Sequence, residues 1–99
     1  MSAYDPESAA EDLDAMLEDG TRADFMRALR QAAEDFGGIG KLARITGLGR
    51  ETLYRTLSAK GNPSFKTLTA LLEAMGMRLA VEATETVRSM RTSAGSPPP

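Results

Sequence analysis

Residues 38–76 read GIGKLARITGLGRETLYRTLSAKGNPSFKTLTALLEAMG, and this stretch decides the fold. Its apolar residues recur every three or four positions, which is the spacing of helices that bury one face. Gly47 interrupts the first short run, and glycine is favoured where the backbone must turn through a positive φ angle. The stretch therefore predicts two short helices that meet at a glycine corner, followed by a loop and a longer helix.

The spacing around that corner is typical of a helix-turn-helix motif. Two short helices that cross steeply need a small residue at the crossing point and a glycine-like residue at the turn. The predicted structural residues of the motif are Leu42, Ala43, Gly47, Leu48, Leu53 and Leu57. A helical hairpin without any ligand would also use glycine at its turn. The basic residues on the outer face favour DNA binding over that alternative.

The second helix of the pair, predicted over residues 50–58, is the candidate recognition helix. With its leucines directed inward, the outward positions can enter a major groove, where arginine reads guanine and glutamate accepts from cytosine. The predicted base-reading residues are Arg50, Glu51, Tyr54 and Arg55, with Arg50 expected to matter more than Glu51. The predicted phosphate contacts are Lys41, Arg44, Ser58, Lys60 and Lys66. The alternatives are a packing role for Tyr54 and solvated side chains without a function for the basic residues.

Charge is distributed unevenly along a chain whose net charge is −2. Residues 1–36 carry ten acidic and three basic side chains, whereas residues 37–99 carry nine basic and four acidic ones. A basic surface suits phosphates, and an acidic surface suits a basic protein. The alternative is that the acidic side chains only keep helix faces solvated, which is the commoner role of a charge run.

Composition excludes several classes of function. The 99 residues suit one small domain, and they include no cysteine and no histidine, so we predict no disulfide, no metal and no cofactor. The sequence shows no signal peptide and no apolar run that could span a bilayer, which predicts a cytoplasmic protein without a membrane partner. No nucleophile and base accompany each other, and GGIGK lacks the spacing of a phosphate-binding loop, so we predict no enzyme.

The rest of the chain is predicted from helix caps and periodicity. Asp5 and Pro6 begin a helix that Gly20 ends, and Thr21 with Asp24 begins a second helix that runs to Phe36. The predicted apolar faces of these helices are Ala10, Leu13, Met16 and Leu17, and Phe25, Leu29, Ala32, Ala33 and Phe36. After the 60–63 loop, a helix capped by Asn62 or Ser64 is predicted to bury Phe65, Leu68, Leu71, Leu72 and Met75.

Beyond Gly76 the apolar period changes to two. Met77, Leu79 and Val81 alternate with polar or small residues, which predicts a short strand that pairs across a two-fold axis in a homodimer or else an extended segment across the core. The predicted fold is mainly α, with about five helices and a short C-terminal strand. Its predicted parts are an acidic helical segment over residues 1–20, the DNA-binding domain over residues 21–83 and a disordered tail over residues 84–99.

Residues 47–82, GLGRETLYRTLSAKGNPSFKTLTALLEAMGMRLAVE, resemble the addiction-module antidote branch of the Xre/Cro-like helix-turn-helix family, the HigA-type antitoxins. With the upstream segment, the resemblance covers roughly residues 13–82. It is more specific than the corner alone because the GNPSFKTL loop and the MGMRLAVE end accompany it. One departure is Gly49, which stands where the family motif usually has serine.

This resemblance implies a dimer that represses its own operon and neutralises a RelE/HigB-like toxin that cleaves messenger RNA. A dimeric reader of this kind expects an inverted-repeat operator in double-stranded DNA. The acidic N-terminal region is the expected docking surface for such a toxin, through Glu11, Asp12, Asp14, Glu18 and Asp19. The alternative is a stand-alone Cro/Xre-type transcriptional regulator without a toxin partner.

Overall fold

The computed structural model describes residues 4–58 and 60–83 of the chain. These residues form five α-helices, which are α1 (Pro6–Asp19), α2 (Arg22–Phe36), α3 (Ile39–Thr46), α4 (Arg50–Thr56) and α5 (Phe65–Ala74). Helix α1 packs along α2, and α3 packs against α2, α4 and α5. The prediction of a mainly helical fold is confirmed, while the predicted tail over residues 84–99 lies outside the described residues. No helix in the described ranges is both long enough and apolar enough to cross a bilayer.

The first two helices begin where their capping residues predict. The Asp5 carboxylate accepts from the Ser8 N–H at 3.2 Å, with Pro6 in the first helical position. Thr21 and Asp24 form a reciprocal capping box, in which each side chain accepts from the backbone N–H of the other at 3.0–3.1 Å. Local side-chain chemistry therefore fixes both helix starts.

The core is aliphatic and draws on every helix. Leu29, Leu42, Leu53 and Leu71 are completely buried, and burying each leucine contributes about 1.5–3 kcal/mol. The other buried apolar residues are Leu13, Met26, Ala32, Ala33, Leu57, Leu72 and Met75. With so few aromatic residues and no tryptophan, leucine and methionine fill the space between the helices.

Tyr4 closes the N-terminal end of the chain onto this core. Its hydroxyl donates to the carbonyl oxygen of Met75, and its ring packs edge-on against Phe36 with 5.3 Å between ring centroids. Residues just before α1 and just after α5 are thus held together, so the two ends of the helical region meet.

Two apolar residues that were predicted to be buried are exposed. Phe65 is 74% exposed and Leu17 is 61% exposed. Phe65 is the first residue of α5, rotated away from the centre of the stripe formed by Leu71, Leu72 and Met75, so no neighbouring helix covers it. Helix α4 is also shorter than predicted, because it ends at Thr56 rather than Ser58.

The predicted C-terminal strand is not formed within the described residues. Residues 77–83 follow α5 without regular structure, with Met77 half-buried, Leu79 38% exposed and Val81 99% exposed. A strand requires a neighbouring strand to receive its backbone hydrogen bonds, and residues 4–58 and 60–83 supply none. Pairing with a second copy of the chain stays a prediction.

Candidate nucleic-acid interface

The corner between α3 and α4 is held by backbone and hydroxyl hydrogen bonds. Gly47 adopts a left-handed conformation with φ of 78°, and its N–H donates to the Ala43 carbonyl oxygen at 3.0 Å. The Thr46 hydroxyl donates to the Leu42 carbonyl oxygen at 2.7 Å and accepts from the Leu48 N–H at 3.2 Å. The threonine therefore ties the end of α3 to the turn, a role that its polarity alone did not reveal.

The packing residues of the helix pair lie on its inner side. Leu42, Leu53 and Leu57 are buried, and Ala43 and Leu48 are half-buried against the core. Because this side is fully occupied, the opposite side of α4 is the one that faces solvent.

The four residues predicted to read bases are all exposed on α4. The helical spacing places Glu51 and Arg55 on the face opposite Leu53, Tyr54 on one flank and Arg50 on the side toward α3. Tyr54 is 63% exposed, which disfavours the alternative that it is a packing residue. The helix start has Gly49 as its N-cap without any side-chain hydrogen bond, as the departure from the family motif implies.

Arg50 folds back toward α3 instead of projecting freely. A Cβ on Gly40 would lie 3.0 Å from the Arg50 Nη2 atom and 3.7 Å from its Cζ atom. A glycine in the first turn of a short helix lowers helix propensity. The presence of Gly40 there is the sequence feature that could have indicated the close approach of another side chain.

The residues predicted to contact phosphates divide into two groups. Lys41 donates to the Phe36 carbonyl oxygen at 3.2 Å and sits 4.3 Å from the Phe36 ring centroid, while the Ser58 hydroxyl donates to the Arg55 carbonyl oxygen at 2.8 Å. These two side chains are engaged within the molecule. All five residues are exposed to solvent, and the other three, Arg44, Lys60 and Lys66, make no hydrogen bond of their side chains within the described residues.

Two arginines of α2, which sequence reasoning did not single out, reach the end of α4 and the turn that follows it. Arg30 donates from Nη1 to the Leu57 carbonyl oxygen at 3.2 Å, and Arg22 donates from Nη2 to the Gly61 carbonyl oxygen. Both belong to residues 1–36, which carry only three basic side chains. That scarcity is the one feature of the sequence that could have drawn attention to them.

The five acidic side chains of α1 that were predicted to contact a toxin are all exposed. They are Glu11, Asp12, Asp14, Glu18 and Asp19. Asp12 lines a groove of about 380 Å³ between α1 and α2, whereas Asp14 and Glu18 line a second groove of about 270 Å³ beside residues 77–82. The acidic surface therefore extends around the outer side of α1 from one groove to the other.

Two side chains near these grooves have shifted pKa values. Hydrogen bonding lowers the pKa of Asp24, first through the Thr21 backbone N–H and then through the Arg27 guanidinium at 3.0 Å. Burial raises the pKa of the Tyr4 phenol, and the neighbouring Asp5 carboxylate raises it further. Both shifts belong to the capping of α2 and the closure of the core and not to the α4 surface.

Comparison with known proteins adds a family to this geometry. Residues 3–83 match the family described as "Probable addiction module antidote protein". A Haemophilus influenzae protein described only as uncharacterized is 27% identical over 78 residues, which are 76% of this chain and 80% of that protein. No solved structure gives a significant match. The family match runs from before α1 to the end of the described residues and so includes all five helices.

Proposed function

The chain belongs to the family of probable addiction module antidote proteins, and we propose that it is the antitoxin of a type II toxin–antitoxin module. In this proposal it binds operator DNA as a homodimer, represses its own operon and neutralises a RelE/HigB-like toxin that cleaves messenger RNA. The observation that carries the antitoxin assignment is the family match over residues 3–83. The finer steps rest on the sequence resemblance to HigA-type antitoxins together with the geometry of α3, α4 and α1.

DNA reading is proposed for the helix pair α3 and α4, as an Xre/Cro-like helix-turn-helix. The support is a left-handed Gly47 corner, a buried inner side, and four exposed side chains on α4 that can donate to or accept from base edges, namely Arg50, Glu51, Tyr54 and Arg55. In a two-fold dimer the half-sites of the operator lie on the order of 10 base pairs apart, centre to centre. Arg44, Lys60 and Lys66 then supply phosphate contacts, joined by Lys41 and Ser58 once they leave their intramolecular partners.

Dimer formation is proposed through residues 77–82. Val81 is almost fully exposed. Met77 and Leu79 precede it at alternate positions of the same segment. An extended segment of this kind can receive backbone hydrogen bonds from the same segment of a second copy. Such pairing is two-fold and antiparallel, which agrees with an inverted-repeat operator.

Toxin binding is proposed for the acidic outer side of α1. An enzyme that cleaves RNA must itself be basic to hold its substrate, and acidic side chains complement such a surface. The five proposed contact residues of α1 are exposed, and Asp12, Asp14 and Glu18 line the two grooves beside it.

Co-expression with the product of the adjacent gene tests the antitoxin assignment. We expect the chain to rescue growth inhibited by that product and to be retained with it in a pull-down. A chain that binds the DNA upstream of its own coding sequence, but neither rescues growth nor retains the neighbouring product, is instead a stand-alone Cro/Xre-type regulator.

The toxin surface is best tested by neutralising charge rather than by truncation. Deleting residues 1–20 would also remove Tyr4 and Leu13 from the core and would unfold the domain. Changing Glu11, Asp12, Asp14, Glu18 and Asp19 to their amides keeps α1 in place and should weaken toxin binding. Glu73→Gln on α5 is the matched control, because it removes an exposed carboxylate far along the chain. Unchanged toxin affinity in the amide variant would exclude α1 as the docking surface.

A further inference from the structure

Arginine side chains of α2 bridge to the end of α4, in addition to the core that the two helices share. Among the helices, α4 packs closely on α3, whereas α2 packs on α1 and α3. A cavity of about 260 Å³ separates α2 from α4 and is lined by Arg30, Ala33, Tyr54 and Leu57, among others. Across this gap, Arg30 donates to the Leu57 carbonyl oxygen at 3.2 Å. The backbones of α2 and α4 are therefore not in close contact, and the Arg30 side chain spans the space between them beside the buried Leu57.

Arg22 makes a second link beside the first. Its guanidinium donates to the Gly61 carbonyl oxygen, four residues after Leu57. Arg22 and Arg30 lie eight positions apart on α2, which separates their Cα atoms by about 12 Å. Leu57 is the C-cap of α4, where carbonyl groups lack helical partners and a cation is favoured by the helix dipole. The two arginines thus hold the end of α4 and the turn that follows it at two separate points.

Gly61 makes that turn and the end of α4 a single unit. It is buried, and a Cβ at this position would lie 1.9 Å from the Thr56 carbonyl oxygen and 3.0 Å from that of Arg55. The Gly61 N–H donates to the Ser58 carbonyl oxygen at 2.9 Å. Because the turn lies directly against the last residues of α4, a contact that restrains Gly61 also restrains the end of the helix.

We propose that Arg22 and Arg30 are positioning residues that fix the orientation of α4. The consequence for base reading rests on the proposed function, because α4 carries Tyr54 and Arg55 toward DNA only if it is the recognition helix. The same arginines connect α2, on which α1 packs, to the end of α4 and its turn. A role in direct phosphate contact is a different explanation for two positive charges here, and the test separates the two.

Arg22→Met and Arg30→Met remove the donors and keep much of the apolar stem, and Arg27→Met is the matched control. Arg27 lies on the same helix, carries the same charge, and pairs only with Asp24 at an exposed site. Amide hydrogen exchange is measured in the free protein at Leu57 and Gly61, with Met75 at the end of α5 as the internal reference. Affinity and its salt dependence are measured on a duplex of the DNA immediately upstream of the coding sequence.

The Arg22→Met and Arg30→Met variants should each exchange on the order of tenfold faster at Leu57 and Gly61, with Met75 unchanged and the Arg27 variant like the native chain. Their affinity for the upstream duplex should fall while the salt slope stays constant. Unchanged exchange at Leu57 and Gly61 would overturn the positioning role whatever the DNA result. A salt slope reduced by about one would also overturn it, in favour of a phosphate contact. Faster exchange in a protein whose native form ignores the upstream duplex would support the link and refute the proposed DNA reading.

Discussion

The guanidinium of Arg50 lies against the backbone of Gly40, so close that a Cβ at residue 40 would be 3.0 Å from Nη2. The first side chain of α4 is therefore oriented by α3 and not by solvent. Glycine at position 40 leaves the space that this orientation needs. The residue at position 40 of α3 therefore affects the direction of the Arg50 side chain on α4.

Gly40→Ala should maintain or raise the thermal stability of the protein while lowering its preference for operator DNA. Alanine favours the helix by up to about 1 kcal/mol over glycine, so the melting temperature should hold or rise. The new methyl group displaces the Arg50 guanidinium, so the preference for operator over random DNA should fall. Thermal denaturation and paired affinity measurements check both effects. A specificity ratio that stays unchanged in Gly40→Ala, while Arg50→Ala lowers it, would show that the contact with Gly40 is irrelevant to reading.

Arg50→Ala should cost roughly 1–3 kcal/mol of binding free energy on the operator and much less on random DNA. The reason is that a guanidinium at a guanine edge distinguishes bases, whereas phosphate contacts do not. Lys66→Ala is the matched comparison, because this exposed lysine on α5 should weaken both DNAs alike and flatten the salt dependence. Titrations at several salt concentrations measure both quantities. Equal losses on the two DNAs for Arg50→Ala would remove it from the base-reading set.

Gly61→Ala should lower the free energy of unfolding by at least the 1–3 kcal/mol typical of overpacking. Its methyl group would meet the Thr56 carbonyl oxygen at 1.9 Å, and backbone atoms cannot move aside cheaply. Gly49→Ser is the contrasting glycine change. A Cβ there meets only the Thr52 hydroxyl at 3.9 Å, and a serine cap should stabilise α4 by a few tenths of a kcal/mol. Urea denaturation midpoints give both values, and a Gly61→Ala protein of native stability would contradict the described turn.

Phe65→Ala and Leu71→Ala should differ strongly although both residues belong to α5. Leu71 is completely buried, so its truncation should cost about 2–5 kcal/mol. Phe65 is mostly exposed, so its truncation should change stability by no more than about 0.5 kcal/mol. Chemical denaturation at low protein concentration compares the two. A large loss for Phe65→Ala would restore the prediction that its ring is part of the buried face.

Acid should weaken the start of α2 through Asp24. Its folded-state pKa lies below the usual 3.8, so the carboxylate stabilises the fold above that value, and the stabilisation disappears as pH falls through the folded pKa. Asp24→Asn should therefore be less stable than the native chain near neutral pH, and the two should converge in acid. Denaturation midpoints from pH 7 downward test this, together with a direct NMR titration of the carboxyl group. A difference that grows on acidification would have the wrong sign.

Sequence reasoning succeeded where a structure depends on neighbouring residues in the chain. The Thr21 and Asp24 box and the positive φ of Gly47 follow from side-chain and backbone chemistry within four positions. It failed where the outcome depends on partners far along the chain. Exposure of Phe65 depends on which helix covers the first turn of α5, and the bond from Arg22 to Gly61 spans 39 positions. Periodicity identifies a face of a helix, but it does not identify what lies opposite that face.

The predicted strand over residues 77–82 is not formed within the described residues, for a related reason. Alternation in a sequence predicts two different faces, and it says nothing about the neighbour that must accept the backbone hydrogen bonds. Arg50, Glu51, Tyr54 and Arg55 were located on an exposed helix by pattern alone, whereas the approach of Arg50 to Gly40 and the bonds from Arg30 and Arg22 to the end of α4 and its turn were not visible in the pattern.

The contact between Tyr4 and Met75 also makes intrinsic tyrosine fluorescence a useful probe of this protein. The sequence has no tryptophan and two tyrosines, so all of its near-ultraviolet emission above that of phenylalanine comes from Tyr4 and Tyr54. Tyr4 is hydrogen-bonded to a residue 71 positions away and packed on Phe36, so its signal should change when these contacts are lost on unfolding. Tyr54 stands exposed on α4, so its signal responds to whatever covers that helix. Single Tyr→Phe variants at the two positions would therefore let unlabelled protein report folding and surface occupancy as separate spectroscopic channels.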